Sequence, residues 1–498
     1  MFAFEPAPVT RSYLDRNVQG NGVGGIVAVE AFAISERWGV AYFEVGNQSE
    51  CNSLVTDARS GRGTIEVQTI GIDAYCEEKG VSRVDMIKMD IEGQELKAIR
   101  SMRQTNKRNP LEEQDYEALP TIVLGVDASR CRSGGSHAHL AGLLSNVNPA
   151  DYGISRVYVW SNNALLAKLP SRPWLVAHGA DWLERSLPWQ IAWQGLILAG
   201  ELRRNGCTML FTADASSVCR FDPQVVLSQD LLSYEPDVMR SFSGKRWFRL
   251  YLILHLQNLA FRRARGVIFL SQHSATMIQR NCGALARTTL VPHGIEADFV
   301  GVEARVDWKV GDLATIECIY VSNAEMYKHQ WQVVRAIGIL RHAGLPVRLT
   351  LVGGGEGEAQ RLTEEAMREV DPEGEFVTQT PFLPRRELPG RRQASHVFIF
   401  ASSCETFGIA LLEGMAVGLP VACSNRSSLP EVLGDAGEYF DPAVPASIAR
   451  AVRTLIEDRP RRVALARKAK ERARGFTWKR CAKGTFQFIY DTYHGYAR

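Results

Sequence analysis

The chain has 498 residues, 45% hydrophobic and 23% charged, with 58 Lys and Arg against 55 Asp and Glu and a formal net charge of +3. That length exceeds what one hydrophobic core organises and predicts two or three domains, while the near balance of charge excludes the concentrated basic face that a nucleic-acid partner requires. Ten cysteines are scattered without a Cys-x-x-Cys pair or a metal-like His/Cys cluster, which predicts reduced, mostly buried thiols in a cytosolic protein and no metal site.

Residues 1–106 form a separate unit. The opening Phe2-Ala3-Phe4-Glu5-Pro6 does not read as a signal peptide, and none is expected. The runs Thr69-Ile70-Gly71-Ile72-Asp73-Ala74-Tyr75 and Val84-Asp85-Met86-Ile87-Lys88-Met89-Asp90-Ile91-Glu92-Gly93-Gln94-Glu95 resemble the FkbM-type methyltransferase family, and Ala3-Phe4-Glu5-Pro6 fits as well. The resemblance implies a Rossmann-like sheet in which Glu5 ends the second strand and binds the ribose of S-adenosylmethionine. The family's glycine-rich loop after its first strand is expected before residue 1. Without that loop and strand a doubly wound sheet lacks its cofactor turn and a central strand. The unit therefore reads as a truncated methyltransferase domain, not expected to use S-adenosylmethionine. The alternative is a bifunctional protein whose N-terminal unit still binds it.

Residues 107–120 are polar, of mixed charge and proline-containing, which marks a linker. A second domain, 121–300, opens with the buried strand Ile122-Val123-Leu124-Gly125-Val126-Asp127, then a flexible Gly134-Gly135 turn before a helix with Leu140, Leu143 and Leu144 on one face. Val157-Tyr158-Val159-Trp160, Trp174-Leu175-Val176-Ala177-His178, Met209-Leu210-Phe211-Thr212 and Val225-Val226-Leu227-Ser228 read as further strands, with a helix over 190–203. The last of these strands delivers Asp230 to a carboxyl end, as an acceptor-side residue or a helix cap. Residues 245–265 mix Arg and Lys with Trp247, Phe248 and Tyr251. That helix suits either peripheral contact with an anionic membrane surface or packing with a solvated face. Apolar stretches such as 250–260 are interrupted by His255, Gln257 and Asn258 and fall short of the ~20 residues of a membrane span.

A third domain, 301–478, carries most of the chemistry. Val397-Phe398-Ile399-Phe400 is a buried strand, and Ile409, Leu412, Met415 and Ala416 recur at helical steps until Gly418-Leu419-Pro420 stops the helix before Val421-Ala422-Cys423. In this β-α-β unit the free N–H groups at the helix start, around Thr406–Gly408, suit a phosphate. Glu405 and Glu413 stand eight positions apart. On one helix side that is roughly 12 Å, a separation that suits a nucleotide sugar better than a shared proton or a metal pair. Residues 459–474 are basic and read as a solvated helix face, and a final helix from Thr477-Trp478-Lys479 occupies 479–498.

Cys404-Glu405-Thr406-Phe407-Gly408 through Glu413-Gly414-Met415-Ala416, Gly418-Leu419-Pro420-Val421 and Leu429-Pro430-Glu431-Val432 resemble the donor domain of retaining glycosyltransferase family 4. The likeness extends over roughly residues 120–495. It implies a GT-B architecture: α/β, two Rossmann-like domains facing a cleft, here preceded by the partial methyltransferase domain. It further implies that Glu405 sits by the donor sugar, Glu413 holds the ribose, the backbone of Thr406, Phe407 and Gly408 meets the diphosphate and Lys328 binds a phosphate. Gly134, Gly135, Gly353 and Gly354 become donor contacts, and His178 takes the place of a cleft histidine near the sugar. The family's Gly-Arg pair is replaced by Ser322-Asn323, so one expected positive charge is missing. The resulting expectation is a metal-independent, retaining glycosyltransferase of the cytosol or the inner membrane face. It would use a nucleotide diphosphate sugar donor, a glycan or lipid-linked acceptor and no further cofactor.

Overall fold

The computed structural model describes residues 2–5, 8–21, 25, 27–35, 39–44, 53–55, 64–81, 84, 121–132 and 134–496. The chain divides into two compact units, Met1–Pro120 and Thr121–Arg498. In the first unit Phe2–Phe4 pairs in parallel with Ala28–Glu30. A separate mixed sheet runs in the order Phe32–Ile34, Thr64–Ile70, Gly39–Glu44, Ser53–Val55. Its small core joins Ile34, Ile70, Ile72, Tyr75 and Cys76, and Phe2 and Phe4 meet the Tyr75 ring edge-on. The Asp90–Glu95 stretch of the methyltransferase resemblance lies outside the described residues.

The second unit holds two parallel sheets. The first is ordered Thr288–Leu290, Gly266–Phe269, Gln224–Ser228, Met209–Thr212, Ile122–Asp127, Ile154–Trp160, Leu175–His178. The second is ordered Val377–Thr380, Val347–Val352, Ile316–Val321, Val397–Phe400, Val421–Ser424, Glu438–Phe440. Central strands such as Val397–Phe400 are buried on both faces, which is why they read as continuous apolar runs and not as alternation. Helices alternate with the strands, so the strand-to-helix turns collect at the carboxyl edges, where open parallel sheets bind ligands.

Two chain crossings join the sheets, and they lie side by side. Ile295 N–H donates to the Phe476 carbonyl at 3.0 Å, and Ile295 pairs with Thr477 in a parallel bridge. A Cβ on Gly294 would stand 2.2 Å from the Trp478 backbone nitrogen, so this approach requires glycine. From there the helix Trp478–Tyr496 returns to the first sheet, with Trp478 against Gly142 and Phe488 against Gly266.

Two expectations change. The helix expected over 190–203 is broken into Leu187–Leu196 and Leu198–Arg204, with Ile197 at φ −108° serving as the boundary of both. The basic helix Arg459–Ala473 is not merely a solvated face. Arg462 is fully buried, and its guanidinium lies 3.6 Å above the Trp308 ring and donates to the carbonyls of Val306, Leu455, Ile456 and Trp308. Those carbonyls, two of them at the end of the helix Pro445–Glu457, have no water to turn to, and a five-donor cation satisfies them together. Every described cysteine is buried. Among the described residues no helix is long and apolar enough to cross a membrane.

Candidate active site

The site grows from the turn after Val397–Phe400. Gly408, at φ +90°, is the residue before the helix Ile409–Val417, and a Cβ there would press on the Leu429 side chain at 2.9 Å. No side chain caps this helix, so its first N–H groups lack the usual internal acceptor and carry the positive dipole end. The buried Phe407 ring anchors the turn against His293 and Phe476, at centroid distances of 5.4 and 5.5 Å. The Thr406 carbonyl accepts from Ser271 Oγ at 2.6 Å, across the cleft from the first sheet.

Lys328 closes the short turn Met326–Lys328 after Ile316–Val321. Its carbonyl accepts from the Tyr320 hydroxyl at 2.7 Å, and its ammonium is ion-paired with Glu405 Oε1 above the rings of Tyr327 and Phe400. Glu405 is held through its backbone. Its N–H donates to Ser427 Oγ at 3.0 Å, and its carbonyl accepts from Ser428 Oγ at 2.9 Å. Ser427, itself at φ +57°, also lies 3.1 Å from the Glu235 carboxylate of the opposite domain. Burial, then the Glu405 charge, pushes the Tyr327 phenol far up, so it stays a neutral donor beside the pair.

Glu413 departs from expectation. Its side chain is 3% exposed, with Arg385 Nη2 at 2.8 Å and the fully buried Arg392 Nη1 at 2.7 Å, charge contacts more than aligned hydrogen bonds. A buried carboxylate needs such countercharge, and a ribose would reach it only by displacing the half-exposed Arg385, which also binds Glu296 at 2.7 Å. His178 is also corrected. It sits on the edge strand of the first sheet, stacked on Trp160 at 5.2 Å. Ser271 follows a strand five positions away in that sheet, roughly 24 Å at 4.8 Å per strand.

Gly134 and Gly135 begin the helix Gly134–Ser145 at the carboxyl edge of the first sheet, facing open space. Gly353, at φ +103°, has an internal reason to be glycine: a Cβ would lie 2.4 Å from the Ser322 carbonyl oxygen. The Gly354 carbonyl accepts from Ala324 N–H at 3.1 Å, so this turn braces the Ser322-Asn323 segment. Asp230 is spent internally on Leu232 N–H and Gln257, and burial raises its carboxyl above the usual range. In the first unit Glu5 follows the strand Phe2–Phe4 and its N–H donates to the Glu30 carbonyl at 2.9 Å. The neighbouring Glu30 carboxylate already accepts from Tyr75.

Several residues escaped the sequence reading. Glu431 accepts from the N–H groups of Gln272 and His273, at 2.7 and 3.0 Å, and so caps a helix of the opposite domain. Asp127 is buried among Ser129, Gln194 and Ser217. His139 and His293, both buried, share a proton between their Nδ1 atoms at 2.9 Å, beneath Trp478 and beside Phe407. Most of these contacts join elements far apart in sequence, so no local pattern signals them.

The histidine pair predicts a pH effect. Burial lowers His139 to about 4 and His293 well below 6.5, so the fold holds both neutral while the unfolded chain protonates them. Stability from this source is full above pH 6.5 and falls as pH drops below it, by up to ~1.4 kcal/mol per pH unit for each imidazole. Denaturant titrations at pH 7.5, 6 and 5 should show that loss, and His139→Gln should flatten the slope. An unchanged slope would remove the pair as its origin.

Comparison with known proteins supports the fold. Residues 313–472 match the family model described as glycosyl transferases group 1, and residues 1–116 match the methyltransferase FkbM domain model. The first of these matched stretches contains Lys328, Glu405 and Glu413, and the fold around it is GT-B. Sucrose-phosphate synthase from Thermosynechococcus elongatus superposes with a TM-score of 0.62 at 18% identity, covering 75% of this chain and 100% of that one. Anabaena HepE in complex with UDP-glucose gives 0.57 at 17%, again 75% and 100%. Among curated relatives, the O-antigen chain mannosyltransferase B of Escherichia coli is 41% identical over 22% of this chain. A GDP-mannose-dependent phosphatidylinositol dimannoside mannosyltransferase of Mycobacterium tuberculosis is 32% identical over 39% of it. The chain spans 29% and 50% of those two relatives' own length.

Proposed function

We propose that residues 121–498 transfer a sugar, with retention of anomeric configuration and without a metal, from a nucleotide diphosphate sugar to a glycan or lipid-linked acceptor at the cytosolic membrane face. The observation that carries this reading is the Lys328–Glu405 pair beside the uncapped helix start at Gly408, inside a glycosyl transferases group 1 domain. Breaking the sugar–phosphate bond puts negative charge on the departing diphosphate, and preorganised donors lower that barrier most. Lys328 and the N–H groups after Phe407-Gly408 supply positive charge there, and Lys328 bears more of it because Ser322-Asn323 adds none. As the ammonium turns to phosphate, Glu405 is released toward the sugar, where it positions the ring and favours oxocarbenium character. Arg385 moves aside to open Glu413 to the ribose.

One relative's name specifies GDP-mannose and the other's a mannosyltransferase, which puts GDP-mannose first among the donors to test. The test is transfer or hydrolysis across GDP-, UDP- and dTDP-sugars with EDTA present, beside Glu405→Ala, with the anomeric product identified by NMR. Activity on one donor that survives EDTA, falls at least about 10³-fold in the variant and yields the donor's own anomer is expected. An inverted product, or full activity in the variant, would overturn the assignment.

A further inference from the structure

The helix Gly244–Arg263 presents the wrong face to water. Its core side is formed by Leu250, Gln257, Ala260 and Phe261. At 3.6 residues per turn, Phe248, Leu252, His255 and Leu259 fall on the opposite side, pointing directly outward. Phe248 is 63% and Leu252 51% exposed. Trp247 and Tyr251, stacked at 5.4 Å and both exposed, flank this stripe, and Tyr251 meets His255 edge-on. Exposed Lys245, Arg249 and Arg263 border it, and the helix contains no acidic residue. An ordinary surface helix carries charge where this one carries Phe and Leu. An apolar centre with Trp and Tyr at its margin and an all-cationic border is the composition that settles into the headgroup layer of an anionic bilayer.

We infer that the outer face of Gly244–Arg263 docks this protein on an anionic lipid surface. The inference rests on the proposed transfer reading only for its purpose, which is to bring a lipid-linked acceptor to the cleft. The start of the helix leads there. Ser241, Ser243 and Arg246 line a cavity of about 130 Å³ with Ala324, Glu325, Met326 and Glu356 of the donor domain, and Arg246 is ion-paired with Glu325 across it. A lipid anchored beneath the helix would place its polar head at this opening.

The experiment is vesicle sedimentation of the full chain with phosphatidylcholine vesicles, with and without one-third phosphatidylglycerol. Wild type, Phe248→Glu/Leu252→Glu and Lys245→Glu/Arg249→Glu are compared, with circular dichroism confirming the fold of each. Wild type should bind the anionic vesicles alone, less so as salt screens the charges. Each double variant should lose about tenfold or more in binding, while hydrolysis of soluble GDP-mannose stays unchanged. Absent wild-type binding, or undiminished binding in both variants, would overturn the inference. So would a change confined to self-association by analytical ultracentrifugation, which would make the face a contact between copies. If vesicle binding follows the expected pattern and no sugar donor is turned over, the docking surface stands and the transfer reading falls.

Discussion

Lys328→Ala is expected to lower kcat by about 10²–10³-fold, the loss seen when one preorganised donor to a developing negative charge is removed. The reason is geometric. Lys328 closes the turn that follows a central strand, its backbone fixed by the Tyr320 hydroxyl, and its ammonium reaches Glu405 beside the Gly408 turn. Removing it leaves the helix N-terminus as the chief positive feature there, because Ser322-Asn323 supplies no charge. KM for the donor should rise less than kcat falls, since charge on the leaving phosphate is greatest in the transition state. Steady-state kinetics at saturating donor check this, and Lys328→Arg should keep more activity than alanine. Equal losses in both variants would point to packing over Tyr327 and Phe400 as the residue's contribution.

Arg392→Met should destabilise the second unit, by less than the ~3–5 kcal/mol of a fully stranded buried charge because Glu413 keeps Arg385. Arg392 is fully buried with its guanidinium against Glu413 and above the rings of Phe299 and Phe398. Burial lowers its pKa, while Glu413 works to keep it charged. Methionine retains much of the apolar packing, so the loss reports chiefly the carboxylate left with Arg385 alone. Adding Glu413→Gln to the same chain should restore part of the stability, because the under-compensated buried charge is gone. Urea unfolding of the single and double variants measures the coupling. If the double variant is no more stable than Arg392→Met, packing around the guanidinium and not the charge dominates.

The contrast between Glu405 and Glu413 shows where sequence reasoning ends. Eight-residue spacing brings both carboxylates near one turn-and-helix unit, and this much followed from periodicity and the glycine stop at Gly418. Which carboxylate faces the cleft did not. Arg385 and Arg392 arrive from the segment before Val397–Phe400, and their basic run carries no mark of a destination beneath Glu413. His178 went astray for a related reason. A histidine at a strand's carboxyl end looks like a cleft residue until strand order is known, and Leu175–His178 is an edge strand. Asp230 likewise ends a strand near the cleft yet turns inward to Leu232 and Gln257.

By itself the sequence determined the local chemistry. Apolar runs of four to six residues set the buried strands, glycines at Gly408 and Gly353 set the turns, and the Glu405–Glu413 segment marked the donor side. These follow from short-range sterics and burial, which neighbouring residues settle among themselves. Only the tertiary structure decided the partnerships: Lys328 with Glu405, Glu413 with two arginines, His139 with His293, and Glu431 with a helix in the other domain. Such pairs join residues dozens to more than a hundred positions apart, and burial and charge pairing select them once the sheets have folded and faced each other.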